Sequence, residues 1–292
     1  MQINIMSNVN LYLFLPVSLN ISLLIFLLPA FAFSQSPDSL SKYFTPVSLE
    51  HPDSAWQVLK PELKGKKLFL FGEAHGVAVN NKLQLSLLKY LHQQAGVRYL
   101  LLEDSPADGF LYDDYLQTGD DYFLRNNLYA FIKEERIFWQ KLYRYNASLP
   151  KSDKIRVFGV DNYTKETFVQ AMVVMLKVDG AYDSIPPEMV EVGEQLEKNL
   201  KTYQGHKKLY RLLKRGLKLY PQVYRAYLGE DFWYFQYIIS SSFFKENISY
   251  RDKKMAVNIL KIFDRFKRGN FFGIFGKYHT ELLTGRNILR FY

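Results

Sequence analysis

Short apolar runs alternate along the chain with longer segments of helical periodicity. The apolar runs cover residues 67–71, 97–102, 155–160 and 270–275, and each is bounded by polar or glycine-containing sequence. Such runs are typical of strands buried on both faces of a parallel sheet. Leucines at helical spacing over residues 81–94 lie between the first two runs. The alternation therefore predicts an α/β fold, a mostly parallel β-sheet with helices on both faces.

A long helical region separates the last two predicted strands. It spans residues 165–260 and is longer than one crossover helix requires. We therefore expect residues 165–250 to form a helical insertion that caps the site. Helical patches are also expected at residues 112–116 and 130–145, and a last short strand at residues 288–292.

The amino-terminal stretch has the character of a targeting segment. Residues 11–32 are almost wholly apolar and carry no charge, and Ala30-Phe31-Ala32 matches the small-x-small cleavage pattern. No Lys or Arg precedes Lys42, so the usual positive n-region is absent and an uncleaved anchor is the alternative. We expect a signal peptide over residues 1–34, cleaved near residue 34, and a single domain over residues 35–292.

Composition narrows the setting and the partners. The chain has no cysteine, which excludes disulfides and a cysteine nucleophile; an exported protein of this kind suits a bacterial periplasm or cell surface. Its formal net charge is +9, and basic residues interleave with leucines and tyrosines between residues 198 and 225. This segment is expected to be a solvated helix face, with weak association with an anionic membrane surface as the alternative. Export argues against a nucleic-acid partner, and the oligomeric state stays open.

Polar, chemically useful side chains follow each predicted strand. They are Glu73 and His75, then Glu103 and Asp104, then Asp161, and finally Tyr278 and His279. The carboxyl ends of parallel strands share one edge, where ligands bind in open α/β sheets. Within Gly72–Gly76, the i, i+2 spacing puts Glu73 and His75 on one side of an extended backbone. The sequence therefore predicts a site at this edge.

Several of these residues also have a simpler, structural interpretation. Glu73 and Glu103 could each belong to a structural ion pair, and Asp161 could cap a helix. The remaining histidines, His51, His92 and His206, lie in polar contexts and are expected at the surface. The chain lacks Gly-x-Ser-x-Gly, Gly-x-x-x-x-Gly-Lys-Ser/Thr and His-Glu-x-x-His. Water is therefore the expected nucleophile.

An ordered set of motifs resembles the erythromycin esterase family, within the broader group that includes ChaN-like haem-binding proteins. The motifs are Gly-Glu-Ala-His-Gly at 72–76, Leu-Leu-Leu-Glu at 100–103, Phe-Gly-Val-Asp at 158–161, Arg-Asp-Lys-Lys-Met-Ala-Val-Asn at 251–258, and a strand leading into His279. The resemblance identifies the chain as a short, divergent member. It implies an α/β fold and ester hydrolysis by activated water, without a covalent intermediate.

The resemblance also implies roles for individual residues. His75 corresponds to the general base, Glu73 and Glu103 to its acidic partners, and Arg251 and His279 to groups that hold substrate or the oxyanion. Asp161, Asp104 and Tyr278 are expected to contact substrate. The family has His-Asn-x-His at the last strand, whereas this chain has Gly276-Lys277-Tyr278-His279 and keeps only the second histidine.

Three functions follow as hypotheses. The leading one is an exported, metal-independent hydrolase of an ester or lactone, a carboxylic-ester hydrolase that needs no cofactor. The second is a hydrolase dependent on a divalent metal held by His75, His279, Glu73 and Glu103. The third is a protein that binds haem or another planar ligand, suggested by the ChaN-like relatives and by 22 tyrosines and 23 phenylalanines.

Overall fold

The computed structural model of the chain describes residues 2–7, 11–13, 52–121, 124, 132–161, 167–176, 185–198, 203–241 and 251–280. The strands are β1 (Gln2–Ser7), β2 (Leu11–Leu13), β3 (Lys66–Glu73), β4 (Val97–Leu102), β5 (Arg156–Gly159) and β6 (Asn270–Gly276). The helices are α1 (Val79–Ala95), α2 (Pro106–Thr118), α3 (Lys133–Ala147), α4 (Thr167–Leu176), α5 (Val190–Lys198), α6 (Tyr203–Leu219), α7 (Pro221–Leu228), α8 (Phe232–Ser241), α9 (Arg251–Arg265) and the single turn α10 (Lys277–Thr280).

Four parallel strands in the order β3-β6-β4-β5 form the centre of the sheet. The four predicted runs are these strands, so the predicted α/β fold is confirmed. Strands β1 and β2 extend the sheet beyond β3 in antiparallel orientation, with Ile3 opposite Phe71. Both strands lie within the expected leader, whose cleavage stays a prediction. The predicted strand at 288–292 and His51 lie outside the described residues.

Helices cover both faces of the sheet. The chain moves in one direction along the sheet from β3 through β4 to β5 and then returns to β6. Right-handed crossovers therefore put α1 and α3 on one face and α9 on the other. On the α9 face, Tyr99 stacks on Phe271 and on Phe266 with ring centroids 5.0 and 4.6 Å apart. The ring centroids of Phe263 in α9 and Phe271 in β6 are 4.2 Å apart, so α9 packs on the sheet through aromatic contacts.

The long helical region packs beside the sheet in the part that is described. Helices α4 and α8 contact α2, and α8 lies along the edge strand β5. The hydroxyls of Tyr234 and Tyr237 donate to the carbonyls of Val157 and Gly159 at 2.9 and 2.6 Å. These bonds satisfy backbone groups that an edge strand otherwise leaves unpaired. The helical cap over the site stays a prediction.

Backbone hydrogen bonds continue beyond the strand ends at the carboxyl edge. The amide of Glu103 donates to the carbonyl of Ile274 at 3.3 Å, and the amide of Asp161 donates to that of Asp104 at 2.8 Å. The chain thus keeps sheet-like spacing where the polar residues begin. Because of this spacing, Glu103 and Asp161 lie side by side although they are 58 positions apart in sequence.

Two histidines expected at the surface are buried, so that prediction was wrong. His92 and His206 are 7% and 6% exposed. The Tyr145 hydroxyl donates to Nδ1 of His92 at 2.7 Å, and Nε2 donates to the Asp153 carbonyl at 2.9 Å. Both ring nitrogens of His92 are therefore satisfied inside the protein, and burial lowers its pKa. Within the described part of the chain, none of the helices combines the length and apolar character needed to cross a membrane.

Candidate active site

Arg251 joins two buried carboxylates at the carboxyl edge. Its Nε and Nη2 donate to Oδ2 of Asp161 at 3.0 and 2.7 Å, and Nη2 also donates to Oε1 of Glu103 at 2.7 Å. The Glu103 and Asp161 side chains are only 14% and 6% exposed. Burying such carboxylates is unfavourable without a cation, and Arg251 provides it as the first residue of α9.

His279 lies between two further acidic contacts. Its Nε2 is 3.1 Å from Oε1 of Glu103, and its Nδ1 is 2.8 Å from Oδ1 of Asp252. The contacts with Asp252 and then Glu103 outweigh burial and raise the pKa of His279 to about 9. His279 is therefore an imidazolium at neutral pH, with each ring nitrogen within ion-pair distance of a carboxylate.

Glu103 is held in its ionised form. Burial alone raises the pKa of a carboxyl group. His279, the Gly276 amide, which donates to Oε2 at 2.7 Å, and Arg251 together outweigh burial and lower the pKa of Glu103 to about 2. Glu103 is thus a fixed negative charge that organises the cations around it.

Glu73 and His75 form the second half of the cluster. His75 Nδ1 is 3.1 Å from Oε1 of Glu73, and Gln84 Nε2 donates to the other oxygen, Oε2, at 2.5 Å. An ionised carboxylate only accepts, so the hydrogen lies on Nδ1 and the lone pair of a neutral ring is on Nε2. The His75 side chain is 74% exposed, whereas Glu73 is 23% exposed. The predicted pairing of Glu73 with His75 is present.

A tight turn presents His75. Gly76 adopts a φ of +78°, which lies in the left-handed region that favours glycine. The side-chain amide of Asn80 donates to the Ala74 carbonyl at 2.8 Å and fastens the turn to the start of α1. The pentapeptide therefore fixes the position of an exposed imidazole.

Gly276 lies between the Glu73–His75 pair and the group formed by Arg251, Glu103 and His279. A Cβ atom added there would lie 2.9 Å from Nε2 of His75 and 3.3 Å from Oε2 of Glu103. The His75 ring thus lies against Gly276. His75 and His279 therefore both lie close to Glu103 at the carboxyl edge of the sheet.

The remaining predicted residues lie nearby in different surroundings. Asp161 is committed to Arg251. Tyr278 is 65% exposed and lies under the ammonium group of Lys277, 5.0 Å from the ring centroid. Asp104 is half-buried; burial first, and then the nearby charge of Asp104, raise the pKa of the Tyr112 phenol. The structure brings these residues to the same edge of the sheet as His75.

The structure adds three polar residues that the sequence did not single out. Asp252 pairs with His279, Gln84 supports Glu73, and Glu135 lies near Glu73. Asp252 is part of the motif that begins at Arg251, so that motif could have indicated it. Gln84 and Glu135 lie among many polar residues on helices and carry no signal in the sequence.

The residues proposed as metal ligands are engaged with one another. In the described ranges, no group of three or more His, Asp or Glu side chains is arranged to hold a metal ion. Arg251 and His279 compensate the charge of Glu103, and an imidazolium has no lone pair to give a metal. The divalent-metal alternative stays a hypothesis.

Comparison with known proteins finds likeness in three-dimensional structure. The chain is similar to a succinoglycan biosynthesis protein (TM-score 0.59, 16% identity, covering 81% of this chain and 63% of that one). It is also similar to a protein from Bacillus cereus (TM-score 0.57, 17% identity, covering 84% and 66%). An erythromycin esterase mutant in its open conformation gives a TM-score of 0.49 at 16% identity, covering 77% and 64%. No family model and no curated protein matches the sequence.

At this level of identity, the first two similarities show a shared fold alone. The chain spans slightly less than two thirds of the length of each solved structure. Fold and site together define an α/β protein with a cluster of histidines, carboxylates and one arginine at the carboxyl edge of its sheet. Any activity attached to this class is a proposal for this chain.

Proposed function

We propose that the protein hydrolyses an ester or a lactone with water activated by His75. The observation that carries the proposal is the exposed imidazole, oriented by Glu73 and lying next to the Arg251–Glu103–His279 ion cluster. The ordered motifs that resemble the erythromycin esterase family support the same reaction class. Specific macrolide hydrolysis is not part of the proposal, because Gly276 replaces a histidine of that family's site.

In this geometry the Glu73–His75 pair activates water, and the ion cluster stabilises the charge that develops on the substrate. Glu73 holds the Nδ1 hydrogen, so Nε2 takes a proton from water as the water oxygen attacks the carbonyl carbon. A fixed cation stabilises the oxyanion that develops there. Arg251 suits this role, because its side chain is 36% exposed and Nη1 makes no hydrogen bond within the described part of the chain. The intermediate then collapses by breaking the bond to the alkoxide.

Kinetics of purified protein tests the proposal. A panel of alkyl esters, aryl esters and lactones is assayed with wild type, His75→Ala, Glu73→Gln and the exposed control Lys277→Gln. General-base catalysis contributes about 10²–10⁴-fold, so kcat/KM should fall by that order in His75→Ala and less in Glu73→Gln. Equal rates in wild type and in both site variants would contradict the proposal. Assays with and without a chelator separate it from the metal-dependent alternative.

A further inference from the structure

Glu135 is a carboxyl group at the same edge of the sheet as Glu73. It lies in the first turn of α3, which precedes β5 and so runs from the carboxyl edge towards the amino edge. Helix α3 packs against α1 and α2, the helices that carry Gln84 and Tyr112. The topology therefore places Glu135 at the carboxyl edge of the sheet, near Glu73.

Hydrogen-bond donors fix the Glu135 carboxyl group. The Tyr112 hydroxyl donates to Oε1 at 3.2 Å, and Trp139, one turn along α3, also hydrogen-bonds to the group. Tyr112 and Trp139 are 2% and 3% exposed and stack with centroids 4.0 Å apart and planes 8° apart. The carboxyl group therefore has a rigid, aromatic support on one side.

The electrostatic surroundings of Glu135 are negative. Glu73, at the end of β3, repels its charge; α1 presents Gln84 here, which is already bonded to Glu73. The α2 side presents Tyr112, whose phenol also experiences Asp104 and Asp108. Burial is the largest influence on Glu135 and outweighs the hydrogen bonds from Tyr112 and Trp139; with a smaller contribution from Glu73, it raises the pKa of Glu135 to about 7.

The pKa values of Glu103 and Glu135 are thus shifted in opposite directions. Glu103 is fixed as an anion by three donors, whereas Glu135 retains its proton close to neutral pH. Divergent titration of neighbouring carboxyl groups is the pattern by which enzymes separate an ionised role from an acid role. This pattern distinguishes Glu135 from Glu103.

We propose that Glu135 is the general acid that protonates the departing alkoxide, an inference that rests on the proposed hydrolysis. When the tetrahedral intermediate breaks its carbon–oxygen bond, the electron pair of that bond goes to the leaving oxygen. The carboxyl proton of Glu135 transfers to that oxygen and gives the free alcohol. The proton that His75 took from water then returns to the Glu135 carboxylate, directly or through solvent, and restores both groups.

The test compares leaving groups in Glu135→Gln, with the exposed neighbour Glu134→Gln as the matched control. A p-nitrophenolate leaves without a proton, whereas an alkoxide needs one. We expect Glu135→Gln to lower kcat/KM by about 10²–10⁴-fold for alkyl esters and by less than about threefold for p-nitrophenyl esters. Glu134→Gln should match wild type on both, and the thermal midpoints of all three proteins should agree.

The pH profile gives a second kinetic signature. With alkyl esters, wild-type kcat/KM should fall as the pH rises through about 7, because Glu135 loses its proton. This alkaline fall should be absent in Glu135→Gln. Equal losses on both ester types, or an unchanged alkaline fall, would overturn the assignment while leaving the hydrolase proposal intact. Absence of wild-type activity on every ester and lactone would instead overturn the proposed function.

A spectroscopic measurement tests the protonated carboxyl group without any substrate. The infrared difference between wild type and Glu135→Gln should contain a protonated-carboxyl carbonyl band at about pH 5.5 that disappears at about pH 8.5. In Glu73→Gln the band should disappear at lower pH, because the repelling charge is gone. A band already absent at about pH 5.5 would overturn the assignment whatever the activity.

Discussion

Gly276 controls how closely His75 and Glu103 approach each other. Its amide binds Glu103, and its missing side chain leaves room for the imidazole of His75. The imidazole of His75 therefore occupies the space beside Gly276, close to Glu103.

Gly276→Ala tests this close approach. The new methyl group would lie 2.9 Å from Nε2 of His75, so the exposed ring must move. We expect the free energy of unfolding to change by less than about 0.5 kcal/mol, because an exposed side chain can swing aside. We expect kcat/KM to fall at least about tenfold, since misplacing a catalytic group is costly. Urea unfolding and ester kinetics measure both, with Lys277→Gln as control; unchanged kinetics would contradict the placement of His75.

The ion cluster makes stability depend on pH in two directions. His279 has its pKa raised from 6.5 to about 9, so its contribution is complete below about pH 6.5 and lost as the pH rises through 9. Glu103 has its pKa lowered from 4.5 to about 2, so its contribution is complete above about pH 4.5 and lost as the pH falls. Stability from this cluster should therefore be greatest between about pH 4.5 and 6.5.

Urea unfolding between about pH 5.5 and 9.5 measures the alkaline part of this dependence. We expect wild type to lose about 2–3 kcal/mol over this range from the His279 pairings, which are coupled and count once. Asp252→Asn removes the contact that contributes most to the raised pKa of His279. That variant should begin losing stability at lower pH and lose less in total. A wild-type curve no steeper than that of Asp252→Asn would contradict the pairing.

Residue type and position in sequence predicted the principal members of the cluster but not its pairing. Glu73, His75, Glu103 and His279 follow apolar runs, and parallel strands deliver such residues to one edge. The contact of Arg251 with Asp161 depends on how α9 returns to the sheet, which no local pattern encodes. The burial of His92 likewise depends on Tyr145, 53 positions away. Long-range pairs of this kind require the fold.

At the scale of elements, helix α2 fixes the carboxyl edge of β4 and β5. Ser105 caps it through a capping box with Asp108, and the oxygen–oxygen contact of their side chains is 2.5 Å. A Cβ added at Gly109 would lie 1.9 Å from the amide nitrogen of Gly159. Helix and strand therefore pack backbone to backbone beside Asp104 and Asp161.

Gly109→Ala tests this packing against loss of the cap in Ser105→Ala. A methyl group that meets backbone cannot be accommodated by a side-chain rotation, so we expect destabilisation of about 3 kcal/mol or more. Removing the cap should cost about 1 kcal/mol. Chemical denaturation measures both. Equal, small effects would contradict the close approach of α2 to β5.

The position of each strand was predictable from the sequence, whereas the way in which the long helical region packs on the sheet was not. Each buried strand is a run of apolar residues with few alternatives, and the predicted bounds differ from the observed ones by at most two residues. The region after β5 repeats helical periodicity through several helices, one of which begins at Pro221. Periodicity identifies such helices, but it does not say whether they cover a cleft or, as α8 does, the edge of β5.

At the scale of the whole molecule, the amino-terminal residues belong both to the expected signal peptide and to the sheet. Strand β1 pairs with β3 along residues Gln2–Ser7, whereas cleavage near residue 34 would remove both β1 and β2. Removal would leave β3 as an edge strand. The described side-chain contacts of the candidate site come from β3, β6, α9, α10 and the segments after β3, β4 and β5, so none of them is made by β1.

We therefore expect a chain beginning at residue 35 to fold and to retain the kinetics of the full-length protein within about twofold, since truncation tolerance follows the contacts that are lost. Intact-mass analysis of protein from a bacterial envelope fraction should give an amino terminus near residue 35. Retention of residues 2–7 in that protein would contradict cleavage and assign β1 to the mature sheet. A chain beginning at residue 35 that unfolds, while full-length protein is stable, would show that the β1–β3 pairing contributes to the fold.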